Sequence, residues 1–155
     1  MGQYFLACNI RKKEYIHPHC FGSYAKENEL LQSPLFCKAV CYLLTRSFPG
    51  DASVLTYNGA VPELKGSWSG NIIRILGEYD PLVLHTYREV MLNWKDISRD
   101  LIHELCIIDG FLSLEDLAIL EDVYEGDDNK KIRQAIHIAQ GYTRKRMRLQ
   151  QEATA

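Results

Sequence analysis

Gln3-Tyr4-Phe5-Leu6-Ala7-Cys8-Asn9-Ile10, then Arg11-Lys12-Lys13 and Glu14-Tyr15-Ile16, is the stretch that decides the class of fold. The first run is β-prone, the basic residues supply a polar turn, and the second run returns beside the first as an N-terminal hairpin. Outward from it, strand-like segments come early and helical ones late. That order favours α+β over an alternating βαβ parallel sheet. The expected fold is a small, mainly antiparallel sheet packed by a core helix, with a helical C-terminal half.

The core helix starts at Ser33-Pro34. Serine accepts from the first free amides, and proline fits the first helical position at no loss of a needed bond. Leu35, Phe36, Ala39, Val40, Leu43 and Leu44 form a broad apolar arc up to about Ser47, and Phe48-Pro49-Gly50 ends it. Before this helix, Phe21 to Gln32 shows no clear period and reads as loop or weak helix. After it, Ser53 to Tyr57, Asn58-Gly59 and Ala60-Val61 read as a second hairpin.

Ser67 to Tyr79 is apolar on much of both faces and is the expected central strand. Asp80-Pro81 repeats the cap-then-proline pattern, which predicts a helix through Trp94, with a strand as the alternative. Ser98 and Ser113 are set to cap helices over 99–106 and 114–124. A last helix starts near Asn129 and fades past Met147.

A chain of 155 residues with 46% apolar and 25% charged content suits one domain. Within it the pattern separates an α+β core over 1–128 from an amphipathic basic helix and frayed tail over 129–155. The net charge of -2 excludes a generally polycationic protein, so any nucleic-acid footprint must be local. Cys8, Cys20, Cys37, Cys41 and Cys106 make an odd count. Tyr4 to Ile10 is too short for a secretory core, and its bases follow it instead of preceding it. Free thiols in a reducing cytoplasm are expected. No run reaches the roughly 20 apolar residues of a membrane span. Met1-Gly2 is followed by Leu6 where a myristoylation motif requires Ser or Thr. The expectation is a cytoplasmic protein with no membrane partner.

His17-Pro18-His19-Cys20 puts two imidazoles and a thiol side by side. Pro18 biases His17 toward an extended conformation, in which His17 and His19 point the same way, as two metal ligands must. Cys37 and Cys41 share a helix face, and two His with two Cys would complete a tetrahedral zinc shell. The spacing matches no standard zinc signature, and cysteines on an apolar helix usually pack. No cofactor is therefore the leading expectation, with zinc on His17, His19, Cys37 and Cys41 as the alternative. The two histidines can instead line a polar pocket. Glu78 and Asp80 flank Tyr79 at a strand end, where acid/base chemistry could form, although Asp80 also reads as a cap. Trp68 is a stacking surface or, more simply, a buried core residue.

Three look-alikes fall away. His103-Glu104 has Ile107 where a zinc-protease helix needs its second His. Around Gly110, the calcium-loop positions fall on Leu105 and Ile107, which offer no oxygen. Gly66-Ser67-Trp68-Ser69-Gly70 puts Trp at the nucleophile position of a hydrolase elbow.

Charge is segregated near the C-terminus. Glu115 to Asp128 holds seven acids and no Lys or Arg, and Lys130 to Arg148 holds seven bases and no acid. On a helical wheel Ile132, Ala135, Ile136 and Ala139 make an apolar face. Opposite it, Arg133, His137, Arg144 and Arg148 form a stripe about 22 Å long at the standard rise. The stripe either neutralises the acidic segment, within one chain or across a dimer, or tracks phosphates, or stays solvated. A protein partner or homodimer is favoured over nucleic acid.

Met1 to Phe5, Asn9, Lys13-Glu14-Tyr15, His17-Pro18-His19 and Phe21-Gly22, with Gly66-Ser67-Trp68-x-Gly70 and Gly77-Glu78-Tyr79-Asp80, resemble a group of small bacterial and phage proteins without an established activity. The resemblance covers about the first half of the chain. It implies a prokaryotic cytoplasm and a related fold, and nothing about chemistry. That group commonly has Lys where Cys20 stands, which makes Cys20 a poor candidate for an essential ligand or nucleophile. The functional expectation is a non-enzymatic binding protein using Arg133, His137, Arg144 and Arg148. The alternative is a small enzyme or ligand-binding protein built on His17, His19, Glu78 and Asp80, with or without zinc.

Overall fold

The computed structural model describes residues 3–23, 30, 32–46, 56–80 and 85–154. The chain divides into two compact units, Met1–Pro49 with Glu63–Leu101, and Gly50–Pro62 with Ile102–Ala155.

The first unit is built on the predicted hairpin. β1 (Phe5–Asn9) pairs antiparallel with β2 (Glu14–Ile16), placing Cys8 opposite Tyr15. The turn is held by the buried Asn9 side chain, whose Oδ1 accepts from the Lys12 amide at 3.0 Å. β3 (Ile73–Gly77) joins the other side of β1 antiparallel, with Cys8 opposite Arg74. β4 (Lys95–Asp96) pairs parallel to β2. The sheet is thus mixed, in the order β3-β1-β2-β4, and the class is α+β.

Two expectations change here. The central strand is β1, whose five residues are all buried, and the Ser67 to Tyr79 run supplies only the edge strand β3. Gly66 and Gly70 take positive φ (67° and 77°), so Ser67 to Asn71 winds through successive turns before the strand begins. β4, charged and two residues long, carries no apolar alternation by which a strand could be recognised.

Leu6, Cys8, Tyr15, Leu76, Val90 and Trp94 form one apolar cluster. Val90 belongs to α2 (Tyr87–Asn93) and Trp94 is its C-cap. This settles 87–93 as helix, but its cap is Thr86, whose hydroxyl accepts from the Glu89 amide at 3.1 Å, and not Asp80. Residues 81–84, including Pro81, lie outside the described residues. α1 (Pro34–Leu44) begins as predicted, with the Ser33 hydroxyl accepting from the Phe36 amide. It buries Leu35, Phe36, Ala39, Tyr42 and Leu43, so Tyr42 takes the place expected of Leu44, which is exposed. Thr45 ends it, and Ser47 to Gly50 lie outside the described residues, as does most of the Phe21 to Gln32 segment.

In the second unit, Thr56 forms an isolated antiparallel bridge with Ile108. Ala60-Val61 makes no strand, which corrects the second hairpin, and residues 53–55 lie outside the described residues. α3 (Ser98–Ile107) runs in from the first unit's range. α4 (Leu114–Val123) opens on a full capping box between Ser113 and Asp116. α5 (Lys130–Thr154) opens with the Asn129 Oδ1 accepting from the Ile132 amide and buries Ile132, Ala135, Ile136, Ala139, Gln140 and Thr143. It continues to Thr154 instead of fading at Met147, because Leu149 to Ala153 are good helix formers with no Gly or Pro among them.

None of the five cysteines is joined in a disulfide. Burial pushes the Cys8 thiol up to about 11 and the Cys106 thiol up to about 12, so both pack as protonated, inert side chains. No helix among the described residues is long and apolar enough to cross a membrane.

Candidate functional site

The His17-Pro18-His19 segment follows directly from β2. His17 is extended (φ -97°, ψ 120°), and its amide donates to the Ser98 hydroxyl at 2.7 Å. Pro18 then opens a 3-10 turn, Pro18–Phe21, closed by Gly22 at φ 76°. An extended path through His19 is therefore not what brings the imidazoles together. The turn does so: the ring centroids lie 4.7 Å apart at 38°, and the His19 amide donates to His17 Nδ1 at 3.3 Å. With Nδ1 accepting, a neutral His17 carries its proton on Nε2. Burial lowers the His17 pKa, the neighbouring His19 lowers it further, and Asp96 raises it.

One further ring contacts the pair. The Tyr4 ring meets His19 edge-on at 5.9 Å. The Tyr87 phenol is pushed up by burial, then by Glu78 and Tyr4. The Tyr15 phenol is pushed up by burial, then by Asp96, Cys20 and Tyr87. The groups in direct contact are thus the two imidazoles and the Tyr4 ring, while Asp96, opposite Tyr15 in the pairing of β2 with β4, acts on His17 through its charge. The pairing of the two histidines was legible in the sequence. Tyr4 and Asp96 were not, since the Tyr4 contact with His19 and the parallel pairing of β4 with β2 join segments that no local pattern links.

Other sequence candidates have structural duties. The Asp80 carboxylate accepts from the Gly77 amide at 2.8 Å and from Gln3 Nε2 at 3.2 Å, bracing the end of β3. Trp68 is 0% exposed and its Nε1 donates to Glu14 Oε2 at 2.9 Å, so it is a core residue and not a stacking surface. Ser98 does not cap α3, because its hydroxyl is engaged by His17 while Asp96 Oδ1 accepts from the Ser98 amide at 2.9 Å. Cys37 faces the Leu30 carbonyl at 3.6 Å and Cys41 is exposed. Among the described residues no three His, Cys, Asp or Glu side chains converge as a metal-binding group, so Cys37 and Cys41 are not gathered with His17 and His19.

The second unit presents the basic stripe. Its first half faces the acidic segment: Arg133 and His137 share a groove of about 380 Å³ with Glu121, Asp122 and Glu125. Glu121 accepts from Gln140 Nε2 at 2.7 Å, and the buried Arg133 Nε has no hydrogen-bond partner among the described residues. Arg144 and Arg148 lie further along α5, exposed, and neither forms an ion pair among the described residues. Arg146 is used internally, paired with Asp109 and donating to the Tyr57 hydroxyl at 3.4 Å. The acidic segment therefore lies beside the N-terminal half of the stripe, and among the described residues no ion pair joins the two.

No family model, curated protein or solved structure matches the chain.

Proposed function

We propose that this is a non-enzymatic binding protein of prokaryotic or phage origin, acting in the cytoplasm, that holds an acidic protein surface on the C-terminal half of α5. The observation that carries the reading is the state of Arg144 and Arg148. They stand one helical turn apart, exposed and without an ion pair among the described residues, although seven acids lie just upstream in the chain. Two guanidinium groups at that spacing present planar donor forks to carboxylates on a facing helix. A second copy is the first partner to test, since Glu121, Asp122 and Glu125 are exposed on every copy.

The test is the native mass at low and high salt, with retention on heparin, for the wild type and the Arg144→Glu/Arg148→Glu double variant. Exposed charge pairs are screened by salt, so the association should weaken as salt rises. The double variant should lose heparin retention and any salt-sensitive mass, while its stability stays within about 0.5 kcal/mol of wild type, as for other exposed substitutions. Equal retention and equal mass would overturn the reading.

A second reading, a small-ligand or catalytic site, rests on the His17 and His19 rings at 4.7 Å with Tyr4 against them. His17→Ala with His19→Ala should abolish ligand binding or activity under that reading and leave partner binding intact under the first.

A further inference from the structure

A different flank of α5 carries a groove that the arginine stripe does not line. It encloses about 420 Å³, within the size range of small-ligand pockets, and its polar lining comes from Asn58, His103, Lys131 and Gln134. Its aromatic lining is Tyr57 and Tyr142, whose rings stack in parallel, with centroids 4.2 Å apart and planes 6° apart.

The aromatic pair is held in place from several sides. The Tyr57 amide donates to the Ile107 carbonyl at 2.8 Å, next to the bridge between Thr56 and Ile108. Its hydroxyl accepts from Arg146, which is itself fixed by Asp109. The turn beyond it is closed by the Ala60 amide donating to Asn58 Oδ1 at 3.0 Å and by the Thr56 hydroxyl donating to the Ala60 carbonyl at 2.8 Å. A simple cover for apolar core would be buried. Here Tyr142 is 44% exposed and its helix neighbour Ile138 is 48% exposed, so the stack offers an open apolar surface beside amide groups.

The electrostatics select the ligand. Among the described residues no carboxylate lines the groove, and Lys131 stands at one end. Lys131 and Tyr142 are roughly 16 Å apart along the helix at the standard rise, with Gln134 and Ile138 on the turns between. We infer that the groove binds a nucleotide unit, with its base stacked on the tyrosine pair, its base edge read by Asn58 and Gln134, and its phosphate drawn to Lys131. Tyrosine faces accept any base, side-chain amides match the donor and acceptor pairs of base edges, and a lysine ammonium binds phosphate as a point charge. The inference does not depend on Arg144 and Arg148, which project from another side of the helix by the helical period.

The experiment titrates the full chain with AMP, UMP and a short labelled oligouridylate, using calorimetry for the monomers and anisotropy for the strand. Tyr142→Leu retains apolar cover but removes the π face, and should weaken binding about 5- to 100-fold, while Tyr142→Phe stays near wild type. Lys131→Gln should weaken binding and flatten its salt dependence. The Arg144→Glu/Arg148→Glu variant should bind the monomers as wild type does, so failure of the arginine reading and failure of this one are separable. Binding of monomers and strand alike marks a free-nucleotide site, and binding of the strand alone marks a single-strand site; both uphold the inference. Failure of the wild type to bind any of the probes, or a Tyr142→Leu variant that folds and binds as tightly as wild type, would overturn it.

Discussion

In the sheet-bearing unit, Glu14, Asp80 and Ser98 each end on a partner within that unit: the Trp68 indole, the Gly77 amide with Gln3, and the His17 amide. In the helical unit, Arg144 and Arg148 end in solvent. The difference follows from backbone accounting. Strand ends and turns leave amides and carbonyls that must be paired when buried, and nearby polar side chains are drawn into that task. A long helix satisfies its own backbone, so the side chains on its outer faces remain available for a partner. Polar residues that look catalytic in the first unit are thus mostly structural, whereas Arg144 and Arg148 on α5 form no ion pair among the described residues.

The largest expected effect tests the structural half of this comparison. Trp68→Ala should destabilise the protein by about 3–5 kcal/mol, the usual range for truncating a buried aromatic, and the loss also leaves Glu14 without its indole donor. Urea unfolding followed by circular dichroism measures it. A change under about 1 kcal/mol would mean that the Trp68 and Glu14 contact is not what holds the first unit.

A smaller effect is expected in the helical unit, where local capping replaces long-range pairing. Ser113→Ala removes one half of the capping box and should cost about 0.5–2 kcal/mol, with Ser113→Asp close to wild type. Were the cost nearer that of Trp68→Ala, the contrast between long-range and local support would not hold.

The smallest effect concerns pH. Burial holds His17 below the ordinary imidazole value of about 6.5, so the unfolded chain takes up this proton at higher pH than the folded chain does. The His17 contribution is then complete above about pH 6.5 and is lost as pH falls toward the lower folded value. Melting temperature against pH should show a shallower acid decline for His17→Gln than for wild type. Parallel curves would mean that the histidine pair is not buried enough to be coupled to folding.

Much of the local architecture was legible from residue order. Ser33-Pro34 and Ser113 marked helix starts because a hydroxyl cap and an N-terminal proline act on the next few amides, with no need of the rest of the chain. The hairpin of β1 and β2 was legible for the same reason. Ser98 and Asp80 misled because both had better partners than the helix ends they precede. The Ser98 hydroxyl meets an amide 81 positions away, and Asp80 braces a strand end and reaches Gln3, 77 positions away. The candidate sites divide in the same way. The histidine pair and the arginine stripe follow from short spacings, whereas the contact of Tyr4 with His19 and the stack of Tyr57 on Tyr142 join more distant segments.

Residue order therefore carried the α+β class, the starts of α1 and α4, the amphipathic period of α5 and the separation of acidic from basic residues, all properties of neighbours within a few turns. Tertiary structure decided that β1 and not the later apolar run is central, that Trp68 is core, and which charges stay unpaired. A side chain is free or engaged according to which distant donor or acceptor folding brings within about 3 Å of it, and a linear pattern does not encode that distance.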